Sequence, residues 1–209
     1  LGSKLVFSDY GGDGSKAHDR IWRYDPQAAP GQRFVDHGYP GNALGGGAKT
    51  NGLALSPDGS IVVCERNKGR LMRWRGDRLE VLASSFEGKN FHAPNDAIVR
   101  ADGNVYFTDP KWGAATAEPR VPFHGVYRVA PNGNVEVVDR DRPSPDGIAL
   151  SPDGRVLYVG DDSRSQIHRY DVGPDGRPGP ATLFIDGAKV DGGLQVPDGI
   201  AVDDLGNLY

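Results

Sequence analysis

A nine-residue pattern recurs four times along the 209-residue chain. Its copies are Asn51-Gly-Leu-Ala-Leu-Ser-Pro-Asp-Gly, Asn95-Asp-Ala-Ile-Val-Arg-Ala-Asp-Gly, Asp146-Gly-Ile-Ala-Leu-Ser-Pro-Asp-Gly and Asp198-Gly-Ile-Ala-Val-Asp-Asp-Leu-Gly. Each opens on Asn or Asp, passes through a short apolar run and reaches a turn, and a second apolar run follows. The copies start 44, 51 and 52 residues apart. Repetition at that period indicates stacked units such as propeller blades. It also places one oxygen-bearing side chain at the same point of every unit.

The spacing between copies is filled by further strands. Arg20-Ile-Trp-Arg-Tyr-Asp, Arg70-Leu-Met-Arg-Trp, Gly125-Val-Tyr-Arg-Val and Gln166-Ile-His-Arg-Tyr-Asp form a third recurring strand, and runs such as 135–138 and 182–185 a fourth. These segments are rich in β-branched and aromatic residues and bounded by turn formers. The 30 Gly and 16 Pro supply the many tight turns that short strands need. Four antiparallel strands per unit of about fifty residues is the arithmetic of a β-propeller blade. The competing all-β fold, a sandwich, has no reason to repeat a turn-and-strand pattern at fixed period. We therefore expect one all-β domain over residues 1–209. The chain begins on the second half of a blade hairpin and ends inside a strand, which reads as a propeller truncated at both termini. Longer Gly- or Pro-rich loops at 10–19, 38–49, 110–123 and 187–196 are expected on the propeller faces, where binding loops belong.

Composition narrows the function. A net charge of −4 argues against a general nucleic-acid or anionic-membrane surface. No apolar run is long enough for a transmembrane helix. Cys64 is the single cysteine, so neither a disulfide nor a cysteine-rich zinc site can form within the chain. Cytoplasmic, periplasmic and secreted locations stay open, as does the oligomeric state.

In a propeller the first strand of each blade lines the central channel. Asn51, Asn95, Asp146 and Asp198 then converge near one mouth. Their hard oxygen donors suit Ca2+, and Mg2+, Mn2+ or Zn2+ are alternatives. The ordinary alternative is that Asn or Asp before Gly merely caps a turn through its own side chain. Asn95 weakens that alternative, because Asp96 follows it.

Phe91-His-Ala-Pro-Asn-Asp-Ala-Ile-Val, followed by Val105-Tyr-Phe-Thr-Asp-Pro-Lys-Trp-Gly, resembles the Pro-Asn-Asp and Phe-Thr-Asp-Pro segments of the SMP-30/gluconolactonase/LRE family. Leu5-Val-Phe-Ser-Asp, Pro145-Asp-Gly-Ile-Ala-Leu-Ser-Pro-Asp-Gly and Pro197-Asp-Gly-Ile-Ala-Val-Asp match it too. The resemblance implies a six-bladed propeller, about four blades of which lie in this chain, with a divalent metal in the channel. It implies Asp146, Asp198 and Asn95 as metal ligands and Asp198 as the general base. A first-blade Glu ligand has no counterpart here; the hairpin spacing places it about five residues before Leu1. Asp146 stands where many relatives carry Asn, which adds negative charge beside the metal.

The implied chemistry is metal-assisted opening of a small-molecule sugar lactone. Asn95, Asn51, His92 and Trp112 are the candidates for substrate contact. A phosphotriesterase- or arylesterase-like hydrolase on the same propeller, and a non-enzymatic ligand-binding propeller, are the alternatives. Asp96 is a candidate support for the metal ligands. Glu65 and Asp161, which end second strands, are expected to bond to backbone or to neighbouring blades. Arg23, Arg73, Arg128 and Arg169 recur at one strand position and are expected to be architectural.

Overall fold

A computed structural model describes residues 5–9, 20–40, 49–111, 120–190, 192–193 and 197–209. The strands fall into antiparallel sheets that follow the repeat. The first sheet is β1 (Leu5–Asp9), β2 (Arg20–Tyr24) and β3 (Phe34–Asp36). The second is β4 (Thr50–Leu55), β5 (Ile61–Glu65), β6 (Arg70–Arg75) and β7 (Arg78–Ala83). A short hairpin, β8 (Ser85–Phe86) and β9 (Lys89–Asn90), leads to the third sheet. That sheet holds β10 (Ala97–Val99), β11 (Val105–Asp109), β12 (Gly125–Val129) and β13 (Val135–Asp139). The fourth holds β14 (Pro145–Leu150), β15 (Val156–Asp161), β16 (Gln166–Asp171) and β17 (Thr182–Asp186). In every sheet the spatial order is the sequence order, as hairpin-linked strands dictate. The final copy of the repeat forms a bridge between Val202 and Leu208 and hydrogen bonds between Ala201 and Tyr209.

The turns explain the strand ends. Gly59, Gly103, Gly154 and Gly206 close the repeated hairpins at positive φ, a conformation that favours residues without a Cβ. Asp58, Asp102, Asp153 and Asp203 each accept a backbone N–H two residues on, which locks the turn through the side chain.

The core lies between sheets. Ile21, Tyr39, Ile61, Val63, Met72 and Trp74 fill the gap between the first and second sheets. Val62, Cys64, Leu71, Phe91, Phe107 and Tyr127 fill the next. Tyr106, Val126, Ile148, Leu157, Val159 and Tyr170 join the third to the fourth. Alternate residues of β5 therefore serve different cores, one on each face of the sheet. At the start of each sheet, β1 lies beside β4, β4 beside β10, and β10 beside β14. This arrangement lines up the openings of the repeats.

Of the recurrent arginines, Arg128 reaches the neighbouring sheet, bonding through its guanidinium to the Asp175 carbonyl at 2.8 Å. Arg73 and Arg169 pair within their own sheets, with Glu80 and Asp171. Glu65 takes the Tyr39 hydroxyl at 2.8 Å and the Arg70 guanidinium, while Asp161 takes the Ser163 hydroxyl at 2.9 Å. The 10–19 loop lies outside the described residues, and the other three long loops do so in part. No helix among the described residues is long and apolar enough to cross a membrane.

Candidate functional site

The aligned first strands leave a pocket of about 290 Å³ between them. Asn51, Asn95, Asp96, Asp146 and Asp198 line it, with Phe7 of β1 supplying apolar wall. Asn51 lies in β4 and Asp146 in β14, while Asn95 stands just before β10. Three of the repeat residues form a continuous row. Asn51 Nδ2 donates to Asn95 Oδ1 at 2.8 Å, and Asn95 Nδ2 donates to Asp146 Oδ1 at 2.6 Å.

This geometry decides against simple turn capping at those positions. Asn51 and Asp146 sit inside strands, and their side chains bond across sheets. The glycines that follow them have a steric reason of another kind. A Cβ at Gly52 would collide with Asp96 and come within 2.7 Å of the Asn95 carbonyl; one at Gly147 would collide with the Asp198 carbonyl. Neither glycine has positive φ. The missing side chain lets the next first strand approach, as the Gly52 N–H to Asn95 O bond of 2.7 Å requires.

Three carboxyl groups, Asp96, Asp146 and Asp198, line this one pocket. Asp146 is 4% exposed. Burial, then the charges of Asp198, Asp162 and Asp96, push its pKa up to about 7 against the pull of the Asn95 hydrogen bond. Burial, opposed by the Ile148 and Ala97 N–H groups and helped by Asp198, raises Asp96 to about 6. Among the described residues none of Asp96, Asp146 and Asp198 forms an ion pair. Clustered carboxylates without a counter-charge, joined by amide oxygens and by no His or Cys, are the donor set of a hard divalent cation. Among the described residues no three His, Cys, Asp or Glu side chains gather closely enough to hold a metal by themselves. The two carboxylates Asp146 and Asp198 thus need the Asn95 amide and a further ligand. With that condition the residues fit the group.

The other expected residues lie elsewhere. His92 does not line the pocket: its Nε2 is 2.5 Å from the Val121 carbonyl, and its backbone N–H donates to Asp109. The ring is held there because Asp109 and Arg120 fix the backbone on either side. Asp109 accepts the His92 and Ala93 N–H groups at 3.0 and 2.7 Å, and Arg120 donates to the Phe91 carbonyl at 2.5 Å. Trp112 falls outside the described residues.

Thr108 is the residue that sequence reasoning missed. It is fully buried, and its hydroxyl donates to the Asp146 carbonyl at 2.7 Å. The available signal was its place in Phe107-Thr108-Asp109, in the strand paired with β10.

The family model of the SMP-30/Gluconolactonase/LRE-like region matches residues 5–209. A gluconolactonase of Zymomonas mobilis is 33% identical over 171 residues, covering 77% of this chain and 48% of that protein. A 6-deoxy-6-sulfogluconolactonase of Pseudomonas putida is 29% identical over 74% of this chain and 50% of its own length. This chain spans about half the length of these curated relatives. The solved structure of a gluconolactonase from Xanthomonas campestris superposes with a TM-score of 0.71 at 28% identity, covering 91% of this chain and 61% of that one. With the match running across nearly its whole length, the chain belongs to the SMP-30/gluconolactonase/LRE-like family.

Proposed function

We propose that the full protein is a divalent-metal-dependent hydrolase that opens a sugar lactone. We take its scaffold to be a six-bladed propeller of four-stranded blades, about four of them contributed by this chain. The observation that carries the reading is the convergence of Asn95, Asp146 and Asp198 on one pocket whose carboxylates lack a counter-charge. The lactonases among its relatives support the substrate class.

Asp146, Asp198 and Asn95 would hold the cation, with Ca2+ the first candidate on an all-oxygen donor set. When bound, such a cation supplies Lewis-acid polarisation of an ester carbonyl. The chain's own residues do the rest. Asp198 lines the pocket, where its carboxylate would accept the proton of an attacking water at Oδ. Asn95 fixes Asp146 through its amide, and Asn51 fixes Asn95 in turn. Phe7 offers the ring of a bound sugar an apolar face.

The test is a pH-indicator assay of glucono-1,5-lactone opening by the full-length protein, with spontaneous hydrolysis subtracted. Turnover that disappears on chelation and returns with Ca2+ is expected. Turnover indifferent to chelator contradicts metal dependence. No turnover, with cation binding intact, favours the ligand-binding alternative.

A further inference from the structure

The boundary between the third and fourth sheets holds Asn95 and Asp146 in hydrogen-bonding contact although the two are 51 residues apart. Two side chains bridge that boundary beside them, Thr108 fully buried and Asp96 half-buried. Thr108 Oγ1 donates to the Asp146 carbonyl at 2.7 Å and accepts the Asp96 N–H at 3.2 Å. The Thr108 backbone completes the tie, its carbonyl accepting the Asn95 N–H at 2.9 Å and its N–H donating to the Asp96 carbonyl at 3.0 Å. Asp96 spans the same boundary. Its Oδ2 accepts the Ile148 N–H at 3.1 Å, while its Oδ1 accepts the Ala97 N–H at 2.8 Å. One hydroxyl and one carboxylate thus fix the backbones on both sides of the Asn95–Asp146 contact.

We infer that Thr108, with Asp96, forms a positioning clamp that sets the spacing of Asn95 and Asp146. The inference rests on the proposed lactone-opening site and adds the residues that hold its geometry. Thr108 does not line the pocket and acts without touching substrate; Asp96 lines it and also ties the backbone on both sides. Each acts through the backbone of a pocket residue, and a small displacement there is costly to a reaction that depends on alignment.

A matched control lies in the same strand. Tyr106, two residues before Thr108, also donates a buried hydroxyl across the boundary, to the Gly176 carbonyl at 2.7 Å. It does not line the pocket. Thr108→Val and Tyr106→Phe therefore delete the same kind of bond at two places in one strand.

In the full-length protein with saturating Ca2+, Thr108→Val is expected to lower kcat on glucono-1,5-lactone on the order of tenfold, with KM within about twofold. Thr108→Ser is expected to restore it. Tyr106→Phe should lose a comparable amount of thermal stability while keeping kcat. The Asn95 side-chain amide signals in a 15N–1H spectrum read the same geometry without turnover. They should move in Thr108→Val and stay in place in Tyr106→Phe. Thr108→Ala, which deletes the same hydroxyl with less bulk, should repeat the Thr108→Val signature and serves if that variant does not fold. Equal effects of Thr108→Val and Tyr106→Phe on kcat and on the Asn95 signals overturn the clamp. If the unaltered protein opens no lactone, the functional reading fails, and the Asn95 signals alone decide the clamp.

Discussion

The third and fourth sheets meet along one boundary with two very different ends. At the hairpin-turn end, charge is paired to completion. Arg128, whose side chain is 5% exposed, donates to Asn104 and to Glu136 at 2.6 Å each, and to the Asp175 carbonyl. Arg177 reaches the second Glu136 oxygen at 2.8 Å and also pairs with Asp175. At the pocket end the same two sheets bring Asp96 and Asp146 together with amides, and Asp198 of the final repeat joins them, with no Lys or Arg among the described residues that line the pocket. Buried charge is normally paired, because desolvation is otherwise uncompensated. The contrast separates two uses of one repeat. The turn end joins neighbouring sheets, and the pocket end gathers carboxyl groups whose burial raises their pKa, which is where the proposed cation would sit.

The largest effect that would sharpen this contrast is expected at the pocket end. Asp198→Asn keeps an oxygen for a cation but removes the proton acceptor. Lactone turnover should fall on the order of a hundredfold or more at saturating Ca2+, measured by the pH-indicator assay. Near-normal turnover would leave water activated by the metal alone as the better account. Next comes Arg128→Ala at the turn end, which strands Asn104 and breaks the bonds to Glu136 and the Asp175 carbonyl. Unfolding in urea should show a loss of about 2–3 kcal/mol, with Ca2+ affinity unchanged. If Ca2+ affinity collapses instead, the two ends are not independent. The smallest change is expected from Asn51→Ala, which frees Asn95 Oδ1 without removing a carboxylate. Turnover should drop only a few-fold, far less than in Asp198→Asn.

How much of this could be read from the chain differs between the ends as well. Asn51, Asn95, Asp146 and Asp198 are visible as a set because a repeat carries each to the same place in its sheet, so their meeting follows from period alone. The roles of Gly52 and Gly147 are not visible, since Asn-Gly and Asp-Gly read as turns until the neighbouring strand is seen against them. Thr108 stands in the visible Phe107-Thr108-Asp109 segment, but its role is hidden, because its partner is the carbonyl of a residue 38 positions away. The arginines show the limit of periodicity. Four occupy one strand position, yet Arg128 reaches across because Asp175 and Arg177 lie in the turn opposite it, while Arg73 and Arg169 find their carboxylates at home. His92 follows the backbone bonds of Asp109 and Arg120, which no spacing from Asn95 reveals.

Asp109 supplies an internal reference for the pocket charge. Burial pushes its pKa up to about 7, as it does for Asp146, but its oxygens are occupied by the His92 and Ala93 N–H groups and it does not line the pocket. Both groups bind protons more tightly folded than unfolded. Each therefore adds stability below the ordinary carboxylate range that is lost as pH rises through about 7. The most direct measurement of the account is the 13C carboxyl titration of both aspartates in the full-length protein, in chelator and then in Ca2+. The account predicts midpoints near 7 for both in chelator, with Ca2+ moving Asp146 down by more than one unit and leaving Asp109 in place. An Asp146 midpoint unmoved by Ca2+, or one that moves in step with Asp109, would contradict a cation site in this pocket.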